Sequence, residues 1–328
     1  MFMRGNRQDS SDRGILVVRL GSMGDVVHAL PAVATLKHSF PSLPLTWVID
    51  PQWAYLLSGN PFVDRVVVLD RHTLAGLTRA WRELRLRRYA WAVDFQGLFK
   101  SALTASLGRP DRIFGFHQSQ AREPIAALFY SNRVRAESAH VVDRNLELAT
   151  GSGASSVVCT FPLPEGTAEG VLPDGDFVLA SPVAGWLAKQ WPLEYYSELA
   201  RLLKEEMNLP LVLNGPPRAG AELSRARGTA THLSGLPGLL HATRRALAVV
   251  GIDSGPMHLA AALDKPGVAL FGPTDPARNG PYGKSFAVLR GPAAQTSYKR
   301  RQEICSCMQG ISPEAVFRTL KNRISARS

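Results

Sequence analysis

Apolar residues along this chain gather in short runs separated by amphipathic stretches of helical length. Residues 15–20 (ILVVRL) predict a first strand. Gly21-Ser22-Met23-Gly24 breaks it, and a helix is expected from near Asp25 towards Phe40. Residues 45–50 (LTWVID) and 66–69 (VVVL) predict the next two strands. A basic amphipathic helix is expected over 77–88, carrying Arg79, Arg82, Arg85, Arg87 and Arg88. Residues 90–94 (AWAVD) predict a fourth strand, followed by Gln96-Gly97 and a helix through Leu107. Strands and helices alternate at βαβ spacing, which implies a mainly parallel sheet.

Gly, Ser, Pro and Asp become frequent over residues 151–176, as in an interdomain connection. A second α/β unit opens at 177–181 (FVLAS) and continues with a helix over 193–207 and a strand over 210–213. The apolar run 246–250 ends in Gly251-Ile252-Asp253, then Ser254-Gly255-Pro256 and a helix over 257–263. The run 268–271 leads into Gly272-Pro273-Thr274-Asp275-Pro276. Ser312-Pro313-Glu314 starts the last helix, with proline in the first helical position and an acid in the first turn. The expected organisation is a disordered leader over 1–14, a first domain over 15–165 and a second over 166–328. The last helix is free in this reading to pack back on the first domain. A chain of 328 residues suits two domains. Alternation alone also admits one large sheet or an oxidoreductase. Against the latter, the first turn reads R-L-G-S-M-G-D and not G-x-G-x-x-G.

Hydrophobic content of 45% and charged content of 20% are those of a globular protein. No apolar run approaches the ~20 residues that span a bilayer. The polar start MFMRGNRQDSSDRG has no signal-peptide core, so the reading is a cytoplasmic chain. Three cysteines, Cys159, Cys305 and Cys307, are too few and too odd for a disulfide scaffold and read as structural or incidental thiols. The net charge of +11 admits nucleic acid, an anionic membrane surface or an acidic substrate. The basic residues are not interleaved with aromatics, which argues against nucleic acid. The excess suits an enzyme that meets a phosphorylated lipid.

Both apolar runs of the second unit end in small residues where a backbone approaches a ligand closely. A helix N-terminus after Ser254-Gly255 offers N–H groups and a positive dipole end to an anion, and His258 in its first turn adds a donor. Two ordinary βα turns would show the same pattern. Asp25, at the carboxyl end of the first strand, is a candidate base or a helix cap. Lys189, in the loop after the first strand of the second unit, is a candidate phosphate contact or a solvated lysine.

DSGPMHLAAALDKPGVALFGPTDPARNGPYG resembles the C-terminal signature of the bacterial lipopolysaccharide heptosyltransferases, glycosyltransferase family 9, written D-T/S-G-x-x-H-x-A-A-A-L, G-P-T-D-P and G-x-Y-G. RLGSMGDVVHALPA resembles the family's N-terminal motif R-x-x-x-x-G-D-v-v/l-H-x-l-P, and AGWLAKQWP its second signature. DFQGLFKS and AREPIAALFY are similar too, and favour the member that adds the first heptose to Kdo. The resemblance implies the GT-B architecture, two doubly wound Rossmann-like domains with a cleft between them, the first for acceptor and the second for nucleotide sugar.

The implied reaction is inverting transfer of L-glycero-D-manno-heptose from ADP-heptose to Kdo of the inner core, with no cofactor and no metal. On the same ground Asp25 is the general base and Lys189 meets the donor phosphates. Ser254, Gly255, His258, Asp253 and Thr274 are assigned to the donor. Gly215 and Glu222 are assigned there by order along the chain, in a looser alignment. Gly24, His28, Gln96, Lys100 and Arg122 are assigned to the acceptor, with Arg79, Arg82 and Arg112 as further cations for its carboxylates and phosphates. The implied partners are ADP-heptose, Kdo-lipid A and the inner leaflet, with the protein peripheral on the inner face of the inner membrane and no nucleic acid. A later heptose position, another sugar, a non-catalytic sugar-nucleotide-binding module and a GT-B-like epimerase are the alternatives.

Overall fold

The structure is a computed structural model and describes residues 13–292, 294–297 and 303–326. Its chain forms two compact units. The first runs to Ser138 and includes Val142–Pro162, and the second takes Ala139–Val141 and the residues from Leu163 onward.

The first unit holds β1 (Arg13–Val18), β2 (Leu45–Ile49), β3 (Arg65–Val68), β4 (Arg88–Asp94), β5 (Arg112–Phe116) and β6 (Asn132–Val134). Its helices are α1 (Met23–Ser39), α2 (Leu74–Arg85), α3 (Phe99–Leu107) and α4 (Val141–Gly151). The strands are parallel in the order β3-β2-β1-β4-β5-β6. Ile15, Leu16, Val17 and Val18 are fully buried because helices cover both faces of β1, which is why this strand reads as a continuous apolar run.

The second unit holds β7 (Val178–Ser181), β8 (Leu211–Gly215), β9 (Ala230–Leu233), β10 (Ala248–Ile252), β11 (Gly267–Phe271) and β12 (Phe286–Arg290). Its helices are α5 (Leu193–Met207), α6 (Gly220–Leu223), α7 (Leu236–Arg245), α8 (Gly255–Ala262), α9 (Pro276–Asn279), α10 (Ser306–Gln309) and α11 (Pro313–Ser325). The order β12-β11-β10-β7-β8-β9 repeats the winding of the first sheet. In each unit the chain starts at a central strand, winds outward one way, then returns and winds the other. The reversal opens a crevice at the carboxyl ends of the two central strands, β1 with β4 and β7 with β10.

Several expectations change. β1 begins at Arg13, inside the stretch expected to be a disordered leader, and residues 1–12 lie outside the described residues. α2 starts at Leu74, not residue 77, because the Thr73 hydroxyl accepts from the Gly76 N–H at 3.0 Å and caps it there. Cys305 and Cys307, read above as thiols, are joined by a disulfide, and Cys159 is free and exposed. α11 packs against α5 and across β10, β11 and β12 of its own sheet. Trp191 is buried and donates through its indole N–H to Ile311 O at 2.9 Å, which ties the start of α5 to the chain before α11.

Candidate active site

In the first unit the crevice at β1 and β4 is built around a buried arginine. Arg19 follows β1 directly, and its side chain is 4% exposed. It donates to the Phe95 carbonyl beyond the end of β4, and its other terminal nitrogen lies 2.5 Å from Asp25 Oδ1. Asp25 is not the cap of α1. Ser22 occupies that position, and its N–H and hydroxyl donate to Asp25 Oδ2 at 3.0 and 3.1 Å, so the carboxylate closes back on the cap residue. Arg122 approaches the same oxygen at 3.5 Å. Burial by itself would raise the Asp25 carboxyl. Arg19, Arg122 and the Ser22 donors outweigh it and hold the group below the usual carboxylate range.

The turn after β4 brings Arg122 to this point. Gly97 has φ +68°, and a Cβ there would meet Arg122 N at 3.2 Å and the Ala121 Cα at 3.3 Å. The Glu123 N–H donates to Gly97 O at 2.9 Å and closes the contact. Beneath it Asp94, fully buried, accepts from Tyr130 Oη at 2.7 Å, Ser101 Oγ at 2.8 Å and the N–H groups of Gln96 and Gly97 at 2.8 and 3.3 Å. Burial pushes its carboxyl up against these donors.

The crevice of the second unit lies at β7 and β10. Lys189 ends the short 3₁₀ turn Leu187–Lys189, and its Nζ sits 2.6 Å from Asp253 Oδ2 and 4.6 Å from the centroid of the Trp186 ring. Asp253 Oδ1 is 3.5 Å from His258 Nε2. Burial would raise the Asp253 carboxyl, but His258 and Lys189 hold it far below the usual range. Ser254 precedes α8 in the cap position, yet its hydroxyl makes no cap bond. The Ser254 and Thr274 hydroxyls are both buried without a hydrogen-bond partner among the described residues. Thr274 follows β11, the neighbour of β10, so two unpartnered hydroxyls sit at adjacent strand ends. A buried unpartnered hydroxyl is costly, and a ligand's acceptor oxygen is the partner that would relieve it.

The family model of glycosyltransferase family 9 (heptosyltransferase) matches residues 77–309. The chain belongs to glycosyltransferase family 9. It is 32% identical over 305 residues to lipopolysaccharide heptosyltransferase 1 of Escherichia coli K12, covering 85% of this chain and 93% of that one. It is 33% identical over 301 residues to the enzyme of the same name from Pseudomonas aeruginosa, covering 83% and 82%. The solved structure titled E. coli heptosyltransferase WaaC with ADP superposes with a TM-score of 0.77 at 26% identity, over 94% of this chain and 99% of that one. This family 9 protein is therefore a glycosyltransferase of the heptosyltransferases that build the lipopolysaccharide core, with the two parallel-sheet units of the GT-B fold.

Within this family 9 chain the crevices gather most of the residues singled out by motif. Asp25 and Arg122 meet directly, and Gly24 and His28 lie buried in α1 beside them. Gln96 faces inward, its side-chain oxygen accepting from the Leu20 N–H at 2.8 Å, so it joins the ends of β1 and β4. Lys100 is exposed in the first turn of α3, its ammonium lowered by burial and by the charges of Arg71 and Arg122.

Lys189, Asp253 and His258 form one group, with Ser254 and Gly255 at the start of α8. Five expected contributors make no hydrogen bond or ion pair with either group among the described residues. Glu222 is exposed on α6. Gly215 is buried at the end of β8, where a Cβ would meet Leu223 Cδ1 at 2.9 Å, so packing explains the glycine. Arg112 opens β5 at the amino edge of the sheet, opposite Asp25. Arg79 and Arg82 are exposed on α2. The residue missed is Arg19. Its signal was present, since a charge interrupting an apolar strand run requires a partner.

Proposed function

We propose that this protein moves L-glycero-D-manno-heptose from ADP-heptose to a Kdo hydroxyl of the lipopolysaccharide inner core, with inversion. The carrying observation is Asp25, kept ionised at a strand end by Arg19 and aimed by Ser22. In this reading Asp25 takes the proton of the acceptor hydroxyl as the oxygen attacks the anomeric carbon. The bond to the diphosphate breaks on the opposite face, and ADP leaves. Lys189, His258, the Ser254 and Thr274 hydroxyls and the first turn of α8 receive the diphosphate and its growing charge, without a metal. Arg122 and Lys100 pair with acceptor carboxylates or phosphates. A solved relative is titled as a complex with ADP-2-deoxy-2-fluoro heptose, which supports this donor.

Among the described residues no helix is long and apolar enough to cross a membrane, and in this reading the enzyme meets its lipid acceptor at the inner face of the inner membrane. ADP release from ADP-heptose, with and without deacylated Kdo-lipid A and in the presence of EDTA, tests the reading. Acceptor-dependent release is expected. Donor binding without release would refute the first-heptose assignment. Release that requires metal would refute the cationic mechanism.

A further inference from the structure

The large apolar side chains exposed on this protein are unevenly placed. Among the described residues, eight of the fourteen lie on one layer, formed by α2, α3 and the 3₁₀ turn Pro124–Phe129. All three cover the same face of the first sheet. Their inner residues Ala80, Leu84, Ala102, Ala105, Ala126 and Ala127 share one core cluster with β1 and β2. Their outer residues have no such partner among the described residues.

On α2, Leu74 is 82% exposed, and Leu77 and Trp81 follow at helical spacing on the same side. On α3, Phe99, Leu103 and Leu107 form a stripe at intervals of four, which is the solvent side of a helix whose Ala102 and Ala105 are buried. On the turn, Ile125 is 52% and Leu128 75% exposed beside buried Ala126 and Ala127. Phe99 packs edge-on against Phe129 at 5.5 Å, so the stripe of α3 and the turn are continuous.

Arg85 and then Arg82 follow the apolar sector of α2 around the helix, Arg79 lies further round on the exposed side, and none of the three makes an ion pair among the described residues. The Arg85 guanidinium lies 5.6 Å from the Trp81 ring centroid. Glu83, the acid between them, is turned to Arg65 at 3.6 Å. An apolar sector edged by unpaired arginines, with a tryptophan at the boundary, is the composition of a helix that lies in a lipid interface. The charge selects the anionic headgroup: a protein partner would need a matching acidic surface as well as an apolar one, whereas an anionic bilayer supplies both at once.

We propose that the outer faces of α2, α3 and the turn Pro124–Phe129 rest on an anionic phospholipid bilayer. The inference deepens the proposed function, on whose lipid acceptor it rests. It also gives α3 two tasks. Leu103 and Leu107 enter the interface, while Lys100, in the first turn at the carboxyl edge of the sheet, stays near Arg122, which in turn meets Asp25. A lipid-borne sugar would then be met at the edge of the surface that holds the enzyme.

Vesicle flotation tests the proposal, with phosphatidylcholine alone and with phosphatidylglycerol added. The full chain should float with the anionic vesicles and stay behind with the neutral ones. Trp81→Ser with Leu103→Ser should lower vesicle binding at least tenfold. Arg79→Ala with Arg82→Ala should lower it about fivefold per arginine, and added salt should do the same. All four side chains are exposed, so melting temperatures should be unchanged, which separates lost binding from lost folding. Turnover of Trp81→Ser with Leu103→Ser on deacylated acceptor should stay at the wild-type level, while turnover on acceptor embedded in vesicles falls.

Equal flotation of wild type and variants, or equal flotation with neutral vesicles, would overturn the proposal. So would a dimer in solution that these variants dissociate. Vesicle binding without transfer to any acceptor would leave the surface standing and remove the proposed activity. Transfer to deacylated acceptor without vesicle binding would do the reverse.

Discussion

Lys189 Nζ lies 2.6 Å from Asp253 Oδ2, so the cation assigned to the donor phosphates is also the counter-ion of a buried carboxylate. Asp253 is 5% exposed and Lys189 18%. A phosphate entering this crevice shares Lys189 with Asp253, which fixes the ammonium in place before the ligand arrives. Lys189→Ala should weaken ADP binding about 10- to 100-fold by calorimetry. It should also destabilise the fold by about 1–3 kcal/mol, because it strips a partner from a buried charge. Unchanged ADP affinity would make the lysine structural only.

The same pair sets an acid limit. Folding depresses the Asp253 carboxyl, so on acidification the unfolded chain takes up its proton first. The contribution of the ionised form is complete above about pH 5 and drains away as pH falls below about 4. Urea midpoints of wild type should therefore fall more between pH 5 and 3 than those of Asp253→Asn. Parallel curves would mean that the pair adds nothing net.

Asp25→Asn should lower transfer at least ~100-fold while ADP affinity stays within about twofold, since the proposed function gives the residue to the acceptor. It leaves the buried Arg19 guanidinium without its counter-charge and should cost about 1–3 kcal/mol in a chemical melt. Because Arg19 and Arg122 keep the carboxyl below its ordinary value, the acid limb of kcat/KM should not set in above about pH 4. Full activity of the variant would remove Asp25 from the mechanism.

Thr274→Val replaces a buried hydroxyl that has no partner among the described residues with a methyl of similar size. The free protein should be as stable as wild type or up to about 1 kcal/mol more so, and ADP binding should weaken about tenfold. A clear loss of stability would show that the hydroxyl is already satisfied in solution.

Tyr130→Phe removes one donor from the fully buried Asp94 and should cost about 1–3 kcal/mol. The Gln96–Leu20 link rests on the same turn, so acceptor KM should rise more than donor KM. Equal effects on both would place the network outside acceptor binding.

Much of this architecture is legible along the chain. α5 occupies 193–207 as its periodicity predicts, and β1, β2 and β4 appear as apolar runs because helices bury both of their faces. β5, β6, β9 and β12, together with α4 and α7, did not stand out. β6 has three residues, none of them buried, and β12, at the edge of its sheet, has one buried residue, Phe286, and then alternates half-buried with exposed positions. Neither presents an unbroken apolar signal.

By itself the sequence determined the alternation of strand and helix, the two-unit division, and the ordered motifs that carry Asp25, Lys189, Asp253 and His258. These are local patterns, set by side-chain periodicity and by small residues at strand ends. Only the tertiary structure decided which of these groups meet. Lys189 and Asp253 are far apart in the chain and pair because β7 and β10 are neighbours, with Ser181 in register with Gly251. Arg19 reaches both Asp25 and the Phe95 carbonyl because β1 lies beside β4. Glu222 follows a strand end of the same sheet and is exposed, without joining the Lys189–Asp253 pair. The reason is physical: an ion pair or a buried hydroxyl depends on distances of a few ångströms and on exclusion of water, and strand order and register, not spacing along the chain, decide both.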